Sequence, residues 1–92
     1  MHCFWLKMIK LKLIYFSRIR EVLGKSSEEI FVKSEVVRDL IEELQVNGKE
    51  YEILKGKSFK VLFAVDQKLL TDPESSIVGA REIAFFPPMT GG

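Results

Sequence analysis

The stretch Ile83-Ala84-Phe85-Phe86-Pro87-Pro88-Met89-Thr90-Gly91-Gly92 organises this 92-residue chain. Its first four residues are apolar and predict a buried strand. Pro87 and Pro88 end that strand, because proline has no N–H to donate to a sheet ladder. Glycine lacks a Cβ, so the diglycine tip could pass through a narrow channel. We therefore predict a flexible arm, held at its base, whose reactive group is the Gly92 carboxylate. A frayed terminus is the alternative.

The N-terminal half of the sequence predicts two strands and two helices. Apolar residues alternate with lysines at the start of Met8–Phe16, which is typical of a strand with one buried face. Ser17 is predicted to cap a short helix that closes at Gly24. A second strand follows over Glu28–Val32. The main helix is predicted over Glu35–Gln45, with Ser34 as its N-cap and one apolar face formed by Val37, Leu40, Ile41 and Leu44.

The C-terminal half predicts one helical turn near Tyr51 and three short strands. These strands are Val61–Val65, Lys68–Leu70 after an Asp66-Gln67 turn, and Arg81–Phe86. Between the last two, Ile77 and Val78 are expected to pack inside a connecting turn. The first and last strands are the most apolar, so we expect them to be central and parallel. This order predicts an α+β ubiquitin-like β-grasp, in which a mixed sheet of about five strands carries the main helix on one face.

The composition excludes several functions. A net charge of +1 favours neither a nucleic-acid nor a membrane surface. One cysteine and one histidine allow no internal disulfide and no Cys/His metal cluster, and a cytoplasmic location is the natural expectation. The pairs Glu28–Glu29 and Glu42–Glu43 are predicted to be solvated, because sequence neighbours on a strand or helix do not face each other. Phe16, Phe63 and Phe85 fit core positions.

The segment Arg81–Gly92 resembles the C-terminus of the small subunits of molybdopterin synthase, a family of ubiquitin-like sulfur carriers. Met8-Ile9-Lys10 resembles the usual start of that family, Ile19–Gly24 its first short helix, and Leu62–Gln67 its third strand and following turn. The resemblance therefore implies three parts: an N-terminal extension or alternative start at 1–7, a β-grasp domain at 8–86, and a flexible tail at 87–92. Alternatively, Cys3 and Trp5 lengthen the first strand and pack.

The resemblance implies a sulfur-carrier function in molybdenum or tungsten cofactor biosynthesis. The Gly92 carboxylate would be adenylated with ATP by a ubiquitin-activating-type enzyme and converted to a thiocarboxylate by a sulfur-donor enzyme. It would then give its sulfur to a pterin precursor, forming the molybdopterin dithiolene. The chain itself would bind no cofactor or metal and would have no catalytic site of its own. The large synthase subunit, joined with it in a heterotetramer, would supply the pocket.

The same resemblance assigns roles within the tail. Thr90 and Gly91 would thread the partner's channel, and the docking surface would comprise Phe86, Pro87, Pro88 and Met89. Ordinary strand-end packing is the alternative for Phe86, since alternation puts Phe85 and Phe86 on opposite faces. Three other functions stay open: a sulfur carrier for another pathway such as thiazole synthesis, a ubiquitin-like protein modifier, and a non-covalent interaction module.

Overall fold

The computed structural model describes residues 8–88. Its elements, in chain order, are β1 (Ile9–Tyr15), α1 (Ser17–Leu23), β2 (Ser27–Val32), α2 (Val37–Asn47), a 3₁₀ helix (Lys49–Lys55), β3 (Leu62–Val65), β4 (Lys68–Leu70) and β5 (Glu82–Phe86). The five strands form one mixed sheet in the order β2-β1-β5-β3-β4. The predicted ubiquitin-like β-grasp is confirmed. Met1–Lys7 and Met89–Gly92 lie outside the described residues.

Strand β5 occupies the centre of the sheet. It runs parallel to β1, with Leu13 opposite Ile83, and antiparallel to β3, with Phe63 opposite Phe85. The prediction that the first and last strands are parallel neighbours is therefore correct. The remaining pairs, β1 with β2 and β3 with β4, are antiparallel. A central strand has ladder partners on both sides, so β5 is held more firmly than a strand at an edge.

One face of the sheet carries the core. Its side chains are buried against the apolar stripe of α2, which consists of the four predicted residues Val37, Leu40, Ile41 and Leu44. The 3₁₀ helix adds Tyr51 and Leu54 to this core, and α1 adds Ile19 and Leu23. The other face of the sheet is not covered by a helix of the described chain. We refer to it as the open face.

Both helix N-termini differ from the prediction. Phe16, not Ser17, is the N-cap of α1, and its own N–H still donates to Phe85 O (3.1 Å) as the last bond of the β1 ladder. Phe16 ends one element and begins the next, so its side chain points away from the core and is 46% exposed. The prediction that Phe16 is a core residue is therefore wrong. Ser17 instead takes a positive φ of 58°. Gly24 ends α1 in the left-handed conformation (φ 75°), as predicted.

Helix α2 begins two residues later than predicted, with Val36 as N-cap. Its first N–H groups are satisfied by a distant loop, since Val37 N donates to Ser75 O (3.1 Å) and Arg38 N to Pro73 O (2.8 Å). Ser34 therefore does not cap the helix. Its hydroxyl donates to Glu43 (2.5 Å), which also accepts from two backbone N–H groups, so Glu43 is not a simple solvated residue. The C-terminal boundary at Asn47-Gly48 is close to the prediction.

The connection before β5 turns sharply and buries only one of its two predicted apolar residues. Ile77 is fully buried and its N–H donates to Glu35 O (2.9 Å), whereas Val78 is 70% exposed. The tight turn that joins Ala80 N to Ile77 O (3.0 Å) directs the intervening side chains away from the core. The Asp66-Gln67 turn forms as predicted, and Asp66 Oδ1 accepts from the backbone N–H groups of Arg81 and Glu82 (2.9 and 3.0 Å). That contact fastens the start of β5.

Candidate functional site: the base of the C-terminal arm

The C-terminal arm leaves the sheet from its central strand. Phe86 is the last residue of β5 and pairs with Leu62 of β3. Pro87 and Pro88 follow directly, both half-buried. Proline removes the N–H that would continue the ladder on either side, so the chain must part from the sheet at this point. The predicted site residues Met89, Thr90, Gly91 and Gly92 lie beyond the described residues.

Phe85 and Phe86 have different environments, as the alternation of a strand requires. Phe85 is fully buried in the core, where its ring stacks on Tyr15 with centroids 6.2 Å apart. Phe86 points to the open face and is half-buried. Phe85 thus anchors the base of the arm, while Phe86 remains available to a partner.

The open face carries an apolar surface that begins at Phe86. Ala84 lies between Ile14 of β1 and Ala64 of β3, and Ala64 in turn lies opposite Leu69 of β4. Together with the Leu62–Phe86 pair these residues form what we call the open-face patch: Ile14, Leu62, Ala64, Leu69, Ala84 and Phe86. Leu69 is 57% exposed and the others are half-buried. A contiguous exposed apolar surface is typical of a protein interaction site.

Sequence reasoning found only one member of this patch. Leu62, Ala64 and Ala84 come from two strands that the sequence presents as almost wholly apolar, and Ile14 lies in the all-apolar end of β1, so alternation of polar and apolar residues could not separate the two faces at these positions. The register of the sheet is what brings these side chains to one face. One position in the sequence could have indicated this patch. Leu69 is an apolar residue in the predicted edge strand, where few core positions are available to it.

A partly buried polar cluster includes Tyr15, whose ring stacks on Phe85 at the base of the arm. Glu28 of β2 accepts hydrogen bonds from the hydroxyls of Tyr15 (2.6 Å) and Tyr51 (2.5 Å) and from the ammonium of Lys25 (3.0 Å). The Glu28 side chain is only 18% exposed, so the prediction that it is solvated is wrong. Tyr15 and Tyr51 are far from Glu28 in the sequence, so their contact with it could not be predicted. The alternation of β2 was the available signal, because it places Glu28 on the same face as the buried Val32. The cluster joins β1, β2 and the 3₁₀ helix.

The cluster should make folding stability depend on pH. Burial alone would raise the pKa of the Glu28 carboxyl, but its three hydrogen-bond donors outweigh burial and lower that pKa below its ordinary value of 4.5. A carboxylate whose pKa is depressed by folding stabilises the protein above the unfolded pKa, and this stability is lost as the pH falls through the folded pKa. Burial, followed by the hydrogen bond to Glu28, raises the pKa of Tyr15 and of Tyr51 above 10.0. Their contribution is therefore lost as the pH rises beyond that value.

We expect Glu28→Gln to lower the free energy of unfolding at pH 7 by about 1–3 kcal/mol, the usual effect of weakening hydrogen bonds to a partly buried charged group. The difference from the wild type should shrink as the pH falls below 4.5, where the wild-type carboxylate becomes protonated. Urea unfolding measured from pH 7 to 3 tests this. Glu29→Gln is the matched control, since Glu29 is 58% exposed and forms only a surface ion pair with Lys10. A difference that stays constant over this pH range would contradict the role given to Glu28.

Across residues 8–88, no group of three or more His, Cys, Asp or Glu side chains is placed to hold a metal ion. No helix in the same range is long and apolar enough to cross a membrane.

Comparison with known proteins connects this geometry to a family. The profile of the ThiS family matches residues 13–92. The molybdopterin synthase sulfur carrier subunit of Haemophilus influenzae is 36% identical over 85 residues, which cover 89% of this chain and 99% of that protein. The family match extends through the arm and both glycines.

Solved structures share the fold. A protein of Pyrococcus furiosus described as molybdopterin converting factor subunit 1 aligns with a TM-score of 0.64 and 28% identity, over 88% of this chain and 99% of that one. A chain in the complex of subunits 1 and 2 of the molybdopterin-converting factor from Helicobacter pylori aligns with a TM-score of 0.58 and 19% identity, over 91% of this chain and all of that one. The match over residues 13–92 and the similarity to the Haemophilus protein show that this chain belongs to the ThiS family.

Proposed function

We propose that this chain is the sulfur carrier of a molybdopterin synthase, and that the Gly92 carboxylate carries the sulfur. The observation that supports this proposal most directly is the arm itself. The chain leaves the central strand at Pro87-Pro88, next to the open-face patch, and two glycines follow in the sequence. The 36% identity to a molybdopterin synthase sulfur carrier subunit supports this pathway over thiazole synthesis or protein modification. In this proposal, residues 8–86 serve as the domain that partners bind, and residues 87–92 serve as the arm.

The proposed chemistry takes place at one carbon atom. A carboxylate oxygen of Gly92 attacks the α-phosphorus of ATP and releases pyrophosphate, which leaves a mixed anhydride with AMP as a good leaving group. A hydrosulfide equivalent from a sulfur-donor enzyme displaces AMP and forms the thiocarboxylate. The sulfur then attacks a carbon of the pterin precursor and displaces the oxygen substituent of that carbon, so that a C–S bond replaces a C–O bond. Hydrolysis of the acyl–sulfur bond leaves the sulfur on the precursor and returns the Gly92 carboxylate. Two such cycles supply both sulfurs of the dithiolene.

Partner enzymes supply the rest of this chemistry in our proposal. Pro87 to Gly92 spans at most roughly 20 Å, which is the distance over which the arm could carry the Gly92 carboxylate into a partner's site. The adenylating enzyme binds ATP, and the large synthase subunit provides the pterin pocket, with two copies of each subunit in the synthase. Because ATP is consumed, we place the reaction in the cytoplasm. This chain contributes the acyl group and the surfaces that position it.

Docking is proposed to use Phe86 and the rest of the open-face patch. The patch continues from the base of the arm, so a partner that covers it also receives the arm in a defined direction. Pro87 and Pro88 have a fixed φ, which reduces the conformational entropy that the arm loses on entering a channel. Met89 would add apolar contact there, while Thr90 and Gly91 would lie in the channel that leads to the reacting carbon.

The first test of the proposal is the mass of the protein. After incubation with ATP, a ubiquitin-activating-type enzyme and a sulfide source, the intact mass should increase by about 16 Da, because one oxygen of the carboxylate is replaced by sulfur. Fragmentation should place the increase on Gly92, which also shows whether Gly92 is the terminal residue of the mature protein.

The control reaction omits ATP and should show no increase. A second carrier protein, added to the same tube, shows that the activating enzyme is competent. If this second carrier gains sulfur and the present chain does not, the proposed function is wrong.

A further inference from the structure

The two edges of the sheet differ in how well they resist pairing with another chain. Strand β4, at one edge, is three residues long and begins with Lys68. A short strand and a lysine are both common devices that prevent such pairing. Strand β2, at the other edge, has six residues, and its pairing with β1 is continuous, with neither a proline nor a bulge. The β2 edge is therefore the one that can receive a further strand.

The backbone groups on the outer side of β2 have no partner within residues 8–88. Tyr15 N donates to Ser26 O (2.8 Å), and the register then places each even-numbered residue of β2 in a hydrogen-bonded pair with β1. The N–H and C=O groups of the odd-numbered residues Ser27, Glu29 and Phe31 therefore point outward, and no hydrogen bond of the described chain uses them. An unpaired row of this kind is a template for an added strand.

Helix α2 closes this row at one end. Lys33 N donates to both carboxylate oxygens of Glu43 (3.3 Å each), and Ser34 N donates to one of them (3.2 Å). Glu43 thus occupies the next outward N–H after that of Phe31. A strand on this edge can pair along Ser27–Phe31 and must then leave the sheet towards α2.

A groove lies where such a strand would leave the sheet. It has a volume of about 830 Å³ and is bounded by the Phe31 end of β2 and the outer side of α2. This volume is within the range of roughly 300–1,000 Å³ that is common for ligand sites. Three apolar side chains line it, and Met8 is 40%, Phe31 64% and Val46 87% exposed. Apolar side chains of an added strand would find a surface to cover here.

The charge of the groove indicates what kind of strand fits. Its lining includes one ammonium, that of Lys33, and four carboxylates, which leaves a net charge of −3; the carboxylates are those of Glu35, Asp39, Glu42 and Glu43. Lys33 can neutralise only one of them. Positive charge on the occupant is therefore favoured.

A second copy of this chain lacks that charge. Pairing β2 with the β2 of a second copy would place both α2 helices on the same side of one continuous sheet. Their grooves, each with the same negative charge, would then face each other. Like charges brought together across an interface oppose association, so the charge favours a basic partner over a second copy.

We propose that the β2 edge binds an extended segment of a partner protein, in which apolar residues alternate with lysine or arginine, as a sixth strand of the sheet. The outward backbone groups of Ser27–Phe31 hold this segment, and its basic side chains reach the carboxylates of the groove. Strand β2 is antiparallel to β1 and β1 is parallel to β5, so Phe31 lies at the end of the sheet opposite Pro87. The inference therefore does not depend on the proposed sulfur-carrier function.

Amide hydrogen exchange measured by NMR on the full-length protein tests this proposal. The probe is the capped peptide Lys-Val-Lys-Val-Lys-Val-Lys. At saturation it should slow the exchange of the N–H groups of Ser27, Glu29 and Phe31 several-fold and leave the amides of β4 unchanged. The same peptide with glutamate in place of lysine should have no effect at equal concentration.

Several results of this experiment would overturn the proposal. One is that the lysine peptide leaves the three amides unchanged, or that both peptides slow them equally. Another is that the three amides already exchange slowly in the free protein. Slow exchange at every protein concentration would show that the chain itself covers the edge, and slow exchange that appears only at high concentration would show that a second copy does.

A proline at position 31 tests the backbone pairing. Phe31→Pro removes an outward N–H but no bond to β1, so the fold should tolerate it, while the affinity for the lysine peptide should fall about tenfold or more. Phe31→Val is the matched control, because it also removes the ring but keeps the N–H, and it should bind more tightly than the proline variant. Fluorescence anisotropy of a labelled peptide measures both affinities. Equal affinities of the two variants would show that the probe does not pair with this edge.

A change of charge in the groove gives a test that does not alter the backbone. Glu42→Gln should weaken binding of the lysine peptide several-fold, and the difference should disappear at high salt. Glu21→Gln is the matched control, since Glu21 is also an exposed helical glutamate but does not line the groove. If both variants bind the peptide as the wild type does, the groove does not select a basic partner.

Discussion

Replacing Gly92 with valine is expected to abolish sulfur transfer and to leave the melting temperature unchanged. A β-branched side chain at the tip would crowd the reacting carbon and restrict the backbone that must enter the partner's channel. The folded domain should not respond, because chain ends generally contribute little to the stability of a domain. Thiocarboxylate formation by intact mass and dithiolene formation with the large subunit measure the loss, and thermal unfolding measures stability. One residue added after Gly92 should be equally harmful, since it moves the carboxylate away from the reaction site.

Thr90→Val is the matched control for the tip. It also places valine in the arm, but at a position that is already β-branched, so it should keep most of the transfer activity. Full activity of Gly92→Val with native partners would show that the arm does not thread a channel. Gly91 and Gly92 would then be an ordinary frayed end, although the fold and the family would stand.

The second large effect should be on stability, when Phe85 is replaced by alanine. Phe85 is fully buried and stacks on Tyr15, so Phe85→Ala removes a large ring and leaves a cavity. Such changes cost about 3–5 kcal/mol, a large part of the roughly 5–15 kcal/mol that stabilises a typical domain. Urea unfolding should show this loss directly. The arm would lose its anchor, and sulfur transfer should fall in proportion to the folded fraction.

Phe86→Ala is the matched comparison for Phe85→Ala, because it removes a ring of the same size from the open face instead of the core. We expect a loss of stability of only about 1 kcal/mol, but a weaker complex with the large subunit, by about tenfold or more if Phe86 is a central contact. Calorimetric titration of the two subunits measures the affinity. Equal destabilisation by both alanine variants would mean that Phe86 is a packing residue, and unchanged affinity would remove it from the docking surface.

Much of the fold could be predicted because its signals are local. The alternation in β1 and the i, i+3, i+4, i+7 stripe of α2 each report the period of one element, and those residues are buried as expected. The turn at Asp66-Gln67 and the left-handed Gly24 likewise depend on one or two residues. The parallel pairing of β1 with β5 could be inferred because the most apolar strands of a small sheet belong at its centre.

The errors arose where a distant segment competed with a local signal. Ser17 and Ser34 have the side chains of good N-caps, but the N–H groups of α2 are satisfied by the loop at Pro73–Ser75, and Ser34 bonds to Glu43 instead. Glu28 reads as a surface charge until Tyr15 and Tyr51 approach it through the folded chain. Local propensity is a weak preference, which tertiary hydrogen bonds readily override.

The candidate site divides in the same way. The sequence by itself determined the order of the arm, from apolar strand to Pro-Pro to diglycine, because proline and glycine act on the backbone whatever surrounds them. Only the tertiary structure decided that the arm leaves from the central strand, and that Ile14, Leu62, Leu69 and Ala84 join Phe86 on one face. These residues are far apart in the chain, and a one-residue change of register would turn them to the other face of the sheet. Such a surface exists only once all the strands have paired.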